Sequence, residues 1–207
     1  MPFRTFILAL ALWFTIFLVI GASGAVAKLQ PPFPQIILAV LVLLLLAAYV
    51  FWKSLRDWLK SIPLESLVAL HLVRFVGAYF LWLHVRGELP HDFAVPAGWG
   101  DIAVACLAGL LVITRPNGRT PYLIWNALGL ADILFVVITA ARLAMADPAS
   151  MAALLRMPLS LLPTFVVPLV IFTHIVIFHR LLGAQGSAHG KDNARSNQRP
   201  ERAHLPP

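Results

Sequence analysis

Phe33-Pro34-Gln35-Ile36-Ile37-Leu38-Ala39-Val40-Leu41-Val42-Leu43-Leu44-Leu45-Leu46-Ala47-Ala48-Tyr49-Val50-Phe51-Trp52 decides the fold class: from Ile36 to Phe51 it is unbroken by any charge. At 1.5 Å rise per residue, roughly 20 apolar residues cross a hydrocarbon layer of about 30 Å. The stretch therefore reads as a transmembrane helix. On either side of it, Phe6–Ala25, Leu67–Leu83, Trp99–Thr114, Tyr122–Ala141 and Leu159–Phe178 have the same character. Prolines and turn residues at Pro32, Pro63, Pro90, Pro96, Pro116-Asn117-Gly118 and Pro148 punctuate them. The expected class is all-α, a polytopic transmembrane helical bundle of six spans over residues 1–182. The fourth span is short, and sits at a thin place in the bilayer or is extended by Ala97 and Gly98.

Composition agrees. Of 207 residues, 60% are hydrophobic and 12% charged, about half the charged fraction of a soluble domain. The net charge of +7 lies in short loops and at the ends of apolar runs. It fits orientation in a bilayer rather than nucleic-acid binding. Under six spans, Arg4, Lys53, Arg56, Lys60, Arg115, Arg119, Arg180, Lys191 and Arg195 fall on one side. The positive-inside rule puts that side, with both termini, in the cytoplasm of a cell whose inner (plasma) membrane holds the protein. Trp52, Trp58, Trp99 and Trp125 read as an interfacial belt. Cys106, the single cysteine, excludes an intrachain disulfide.

The first span has a second reading. Arg4, an apolar stretch and Ala25-Val26-Ala27 have the form of a signal peptide whose removal leaves five spans, but the stretch is longer than a usual signal core. Residues 183–207 are basic and polar with no apolar period, so a disordered cytoplasmic tail is expected. Pro148–Met157 is expected to lie at the interface as a short helix, with Met151, Leu154 and Leu155 facing the membrane. No internal repeat marks inverted halves.

Ionisable groups inside spans are costly and face other helices or a cavity. The third span carries His71 and Arg74, the fifth Asn126 and Asp132, and the sixth His174. His71 and Asn126 lie about 6 Å from the basic end and His174 roughly 6–8 Å from it, at one level. Arg74 and Asp132 are close enough in depth to form an ion pair. Pro163 and Pro168 break the sixth span, while Gly77 and Gly129 allow close helix approach. A bundle of spans three, five and six around a polar centre follows. Asp101 reads as the cap of the fourth span at its outer end. His84 and His179 reach the interface from span ends.

His71-Leu72-Val73-Arg74, Gly98-Trp99-Gly100-Asp101-Ile102, and Trp125-Asn126 followed by Gly129 and Asp132 resemble stretches of small bacterial multi-pass proteins with no assigned function. The resemblance covers Ser66–Leu182 and implies an uncharacterised family, with no activity.

Four roles are compatible with these residues. The polar groups can be structural, an Arg74–Asp132 pair with hydrogen-bond glue, the role of the protein then lying in a homo-oligomer or another membrane partner. They can form the relay of a small transporter or proton-coupled channel, with Asp132 near the midplane and histidines below it. His71 and His174 at matched depth can ligate b-type haem. A metal-dependent hydrolase needs a third ligand, and Asp132 is placed too far from the histidines. No metal or resident cofactor is expected and no enzymatic motif is present. The transporter is the leading active role.

Overall fold

The computed structural model describes the backbone of residues 2–197 and the side chains of residues 4–183. Its helices are α1 (Pro2–Ala22), α2 (Phe33–Phe51), α3 (Lys53–Ser61), α4 (Leu64–Ala69), α5 (Gly77–Val85), α6 (His91–Thr114), α7 (Thr120–Ala146) and α8 (Val167–Asn197). Six segments are long and apolar enough to cross a membrane: Arg4–Ala22, Phe33–Phe51, Leu64–Val85, His91–Thr114, Thr120–Ala146 and Leu162–Gly183. The protein is an all-α bundle. α8 continues past Leu182, where the sequence suggests an unstructured tail; the side chains of 184–207 and the backbone of 198–207 lie outside the described residues.

Arg4, Lys53, Arg56, Lys60, Arg115, Arg119 and Arg180 gather at one end, called here the basic end, and Lys28, Arg86, Arg142 and Arg156 lie toward the other. At the basic end Phe6 of α1 packs against Trp58 of α3 at 5.3 Å. Arg180 donates to the Ile62 carbonyl at 2.7 Å, and Arg119 to that of Leu181 at 3.4 Å. α3 lies across this end as an amphipathic helix with Leu59 buried. On its wet face Lys53 bonds Asp57 at 2.7 Å and holds that carboxyl below the usual carboxylate range.

Each span is shaped by its small and breaking residues. The fourth begins at His91, directly after Pro90, and not at Trp99; with 24 residues it needs no thinned bilayer. Pro96 falls inside the helix near its start, where the lost hydrogen bond involves only the Asp92 carbonyl. Trp99 consequently sits about 12 Å along the helix, exposed on its outer surface.

The third span is not a continuous α-helix. Between α4 and α5, Leu70–Val76 winds as a 3₁₀ helix, which has three residues per turn. Burial follows that period through the stretch: His71, Arg74 and the following Gly77 are its buried positions. An ordinary α-helix would rotate positions at this spacing steadily out of the core.

The sixth span starts with a π-helical segment, Leu162–Val166, containing Pro163. Pro168 lacks the N–H that would bond the Thr164 carbonyl. The Trp13 indole of the first span supplies the missing donor, reaching that oxygen at 3.1 Å. The sixth span is the central one, with 56% of its apolar stretch buried against 11% for each of the first two.

Between the fifth and sixth spans, Pro148–Leu155 forms a 3₁₀ helix whose first turn is capped by Asp147, accepting from Ala149 N at 3.1 Å. Met151 turns inward and is buried, and Leu154 and Leu155 line a partly open cavity. The expected membrane-facing orientation of these three is therefore corrected: the space beneath the segment accepts their apolar surface first.

Candidate functional site

Two apolar clusters make up the core. One, toward the basic end, is built around Tyr49, Val68, Trp125 and Ile177; the other, toward the far end, around Phe80, Phe93, Ile133 and Val170. Between them lies a buried layer of His71, Arg74, Asp101, Asn126, Thr173 and His174, with Asp132 at its edge.

Glycines assemble this layer. At Gly77 and Gly98 the third and fourth spans cross backbone to backbone: a Cβ on Gly77 would collide with the Gly98 carbonyl, and one on Gly98 would stand 2.8 Å from the Gly77 carbonyl. The spans are antiparallel, so the residue three before Gly77 meets the residue three after Gly98. These are Arg74 and Asp101, joined Nε to Oδ1 at 2.6 Å. The other end of the guanidinium binds Asp132 Oδ2, whose carboxylate occupies the space left by the absent side chain of Gly100. Nη1 donates to the Gly129 carbonyl at 2.9 Å. Gly129 also makes room for the His174 ring, since a Cβ there would lie 2.6 Å from Cε1.

All five residues picked out in the sequence, His71, Arg74, Asn126, Asp132 and His174, meet in this layer. The expected bundle of spans three, five and six is widened by the fourth, which contributes Asp101. That carboxylate is no cap: the helix starts ten residues earlier, at His91, and Asp101 is 3% exposed. A sequence signal existed. Ala94, Ala97, Gly98, Asp101, Ala105 and Ala108 repeat at helical spacing, placing Asp101 on a face of small residues. Thr173 was also overlooked, because a threonine in a span commonly bonds only its own helix.

Toward the basic end, the hydrogen-bond partners favour one tautomer of each histidine. Thr173 donates its hydroxyl to the Leu169 carbonyl at 2.8 Å, so its oxygen accepts from His71 Nε2–H at 3.2 Å. Asn126 Nδ2 donates to the His174 carbonyl at 2.9 Å, which turns its Oδ1 to accept from His174 Nδ1–H at 2.8 Å. The remaining nitrogens, His71 Nδ1 and His174 Nε2, are buried lone pairs without a hydrogen-bond partner among the described residues. Trp125 closes the site, edge-on to His71 at 5.0 Å, with its indole N–H on the Val104 carbonyl at 3.1 Å.

The rings of His71 and His174 are 4.1 Å apart between centroids. Two imidazoles on one metal, each nitrogen about 2 Å from it, hold their centroids roughly 6 Å apart on opposite sides. A porphyrin does not fit between these two. Among the described residues no group of three or more His, Cys, Asp or Glu side chains is placed to hold a metal ion. His179 accepts a different contact from the expected interfacial one, its Nδ1 pairing with the Tyr49 hydroxyl at 2.9 Å.

On its far side, the layer floors a cavity of ≈ 370 Å³. Arg74 and Asp101 are at its base, and the loops at Gln30 and Pro148 form its rim. The guanidinium carries one positive charge against two carboxylates. With both ionised, the cluster has an excess charge of −1, which a low-dielectric interior does not tolerate without a compensating proton or cation.

Neither curated proteins nor solved structures provide a match to the chain. Residues 31–182, which hold spans two to six and every polar residue of the layer, match a family described as a domain of unknown function (DUF8737), and the chain belongs to that family.

Proposed function

We propose that this protein is a small proton-coupled transporter of a bacterial inner membrane, oriented with its basic end toward the cytoplasm. The observation that carries the reading is the sharing of Arg74 between Asp101 and Asp132 at the base of the cavity. The two carboxylates are reached from different sides. Asp101 borders the cavity, while Asp132, 19% exposed, lies in the notch over Gly100 between spans four and five. A proton or cation that neutralises one carboxylate frees Arg74 to bind the other more closely. Occupancy on the cavity side is thereby coupled to protonation on the other side, which is the requirement for coupled transport.

Non-α segments in the layer and in the cavity wall support movement there. The 3₁₀ stretch Leu70–Val76 carries His71 and Arg74, and the π segment Leu162–Val166 opens the sixth span. Such irregular turns mark hinges and functional sites. The positive-inside rule supports the orientation.

The test uses purified protein in liposomes with an internal pH dye and a potassium diffusion potential. Wild-type vesicles should take up protons faster than protein-free vesicles, and Asp132→Asn should bring uptake to the protein-free rate. Wild-type uptake no faster than that of empty vesicles, or unchanged uptake in Asp132→Asn, would end the proposal.

A further inference from the structure

The cavity has a chemistry that selects its occupant. Its walls are aliphatic, with Leu38, Val76, Ile133, Val137 and Val170 among the lining, and its volume of ≈ 370 Å³ suits a small molecule. Arg74 and Asp101 are the charged side chains of that lining. Arg74 is already occupied: Nε is on Asp101 at 2.6 Å, Nη1 on the Gly129 carbonyl at 2.9 Å, and Nη2 on Asp132. An anion entering the cavity would have to compete with two carboxylates for this single cation.

A cation meets the opposite situation. With both carboxylates ionised the cluster has one negative charge too many, and Asp101 gives Arg74 only its Oδ1. Higher on the wall, Gln35 Oε1 is a buried acceptor without a hydrogen-bond partner. Both groups look for a donor or a positive charge. The lone pairs of His71 and His174 face the other side of the layer and do not border the cavity.

We infer that the cavity binds an amphiphilic cation, its ammonium-type head beside Asp101 and its apolar chain along the aliphatic wall. This deepens the transporter reading and rests on it for the cavity's role, naming the substrate class as lipophilic amines. Fatty acids of the same length are excluded by charge, and neutral alcohols gain only the apolar contact.

Octylammonium, octanoate and octanol separate these cases, because they share a chain and differ in head group. Each is titrated calorimetrically into the full-length protein in phosphatidylcholine nanodiscs, with protein-free nanodiscs subtracted. Octylammonium should bind at least about tenfold more tightly than the other two, a difference of one decade in Kd. Asp101→Asn should remove that preference, and Ala140→Phe, which fills the cavity from the fifth span, should weaken octylammonium binding. Octanoate binding as tightly as octylammonium to the wild-type protein would overturn the inference, whatever the variants do. So would octylammonium binding that Ala140→Phe leaves unchanged. Proton uptake by wild-type vesicles without an octylammonium preference would sink the substrate class alone. Selective octylammonium binding without proton uptake would sustain the ligand site and remove transport.

Discussion

Replacing Arg74 by glutamine takes away the positive charge that two buried carboxylates share. In the structure the guanidinium makes three bonds, to Asp101 at 2.6 Å, to the Gly129 carbonyl at 2.9 Å and to Asp132. Opposite charges with centres about 4 Å apart attract by roughly 4 kcal/mol at an effective dielectric constant near 20. Desolvation of each buried ion offsets much of this in the intact cluster, so its net contribution is small. Removal of the cation leaves that desolvation uncompensated, and Arg74→Gln should destabilise the bundle by about 3–5 kcal/mol. Asp132→Asn is the contrasting change. It leaves Arg74 paired with Asp101, brings the fully ionised cluster from −1 to neutral, and affects a side chain that is 19% exposed where that of Asp101 is 4% exposed. Its cost should stay within about 1 kcal/mol. Equilibrium unfolding in mixed dodecylmaltoside and dodecylsulfate micelles, followed by tryptophan fluorescence, measures both. If Arg74→Gln costs less than Asp132→Asn, the cluster is not charged as described and the charge argument for the site fails.

Two further outcomes concern the helices that position the layer. Trp13→Phe should cost about 1 kcal/mol by leaving the Thr164 carbonyl unpaired, and should become nearly neutral in a Pro168→Ala background, where residue 168 regains the N–H that bonds that oxygen; additive costs in the same unfolding assay would refute this. Gly98→Leu should separate the third and fourth spans and cost at least about 2 kcal/mol, whereas Gly109→Leu, with only Leu72 Cδ2 near its Cβ at 3.6 Å, should be well tolerated; equal thermal stabilities in detergent would contradict the crossing at Gly77 and Gly98.

What the sequence determined by itself was the number and approximate place of the spans and the concentration of polarity in three of them. The reason is thermodynamic: lipid leaves backbone groups no partner but the helix itself, so long apolar runs such as Ile36–Phe51 are helices whatever surrounds them. Depth along a helix is likewise a matter of counting residues, and so His71, Asn126 and His174 could be placed at one level in advance. The rotational position of a side chain was not open to counting. In the third span it depends on the 3₁₀ stretch Leu70–Val76, whose three-residue turns keep His71, Arg74 and Gly77 on one face, and a local pattern of apolar residues does not reveal that winding. The role of Asp101 was hidden by the start of its helix. From Trp99 it looked like a cap, but from His91 it is a core residue. The charge excess of one Arg and two Asp arises only because spans three and four touch at two glycines and bring the second carboxylate in. Contact between distant segments, and with it the chemistry of the site, was decided by the tertiary structure.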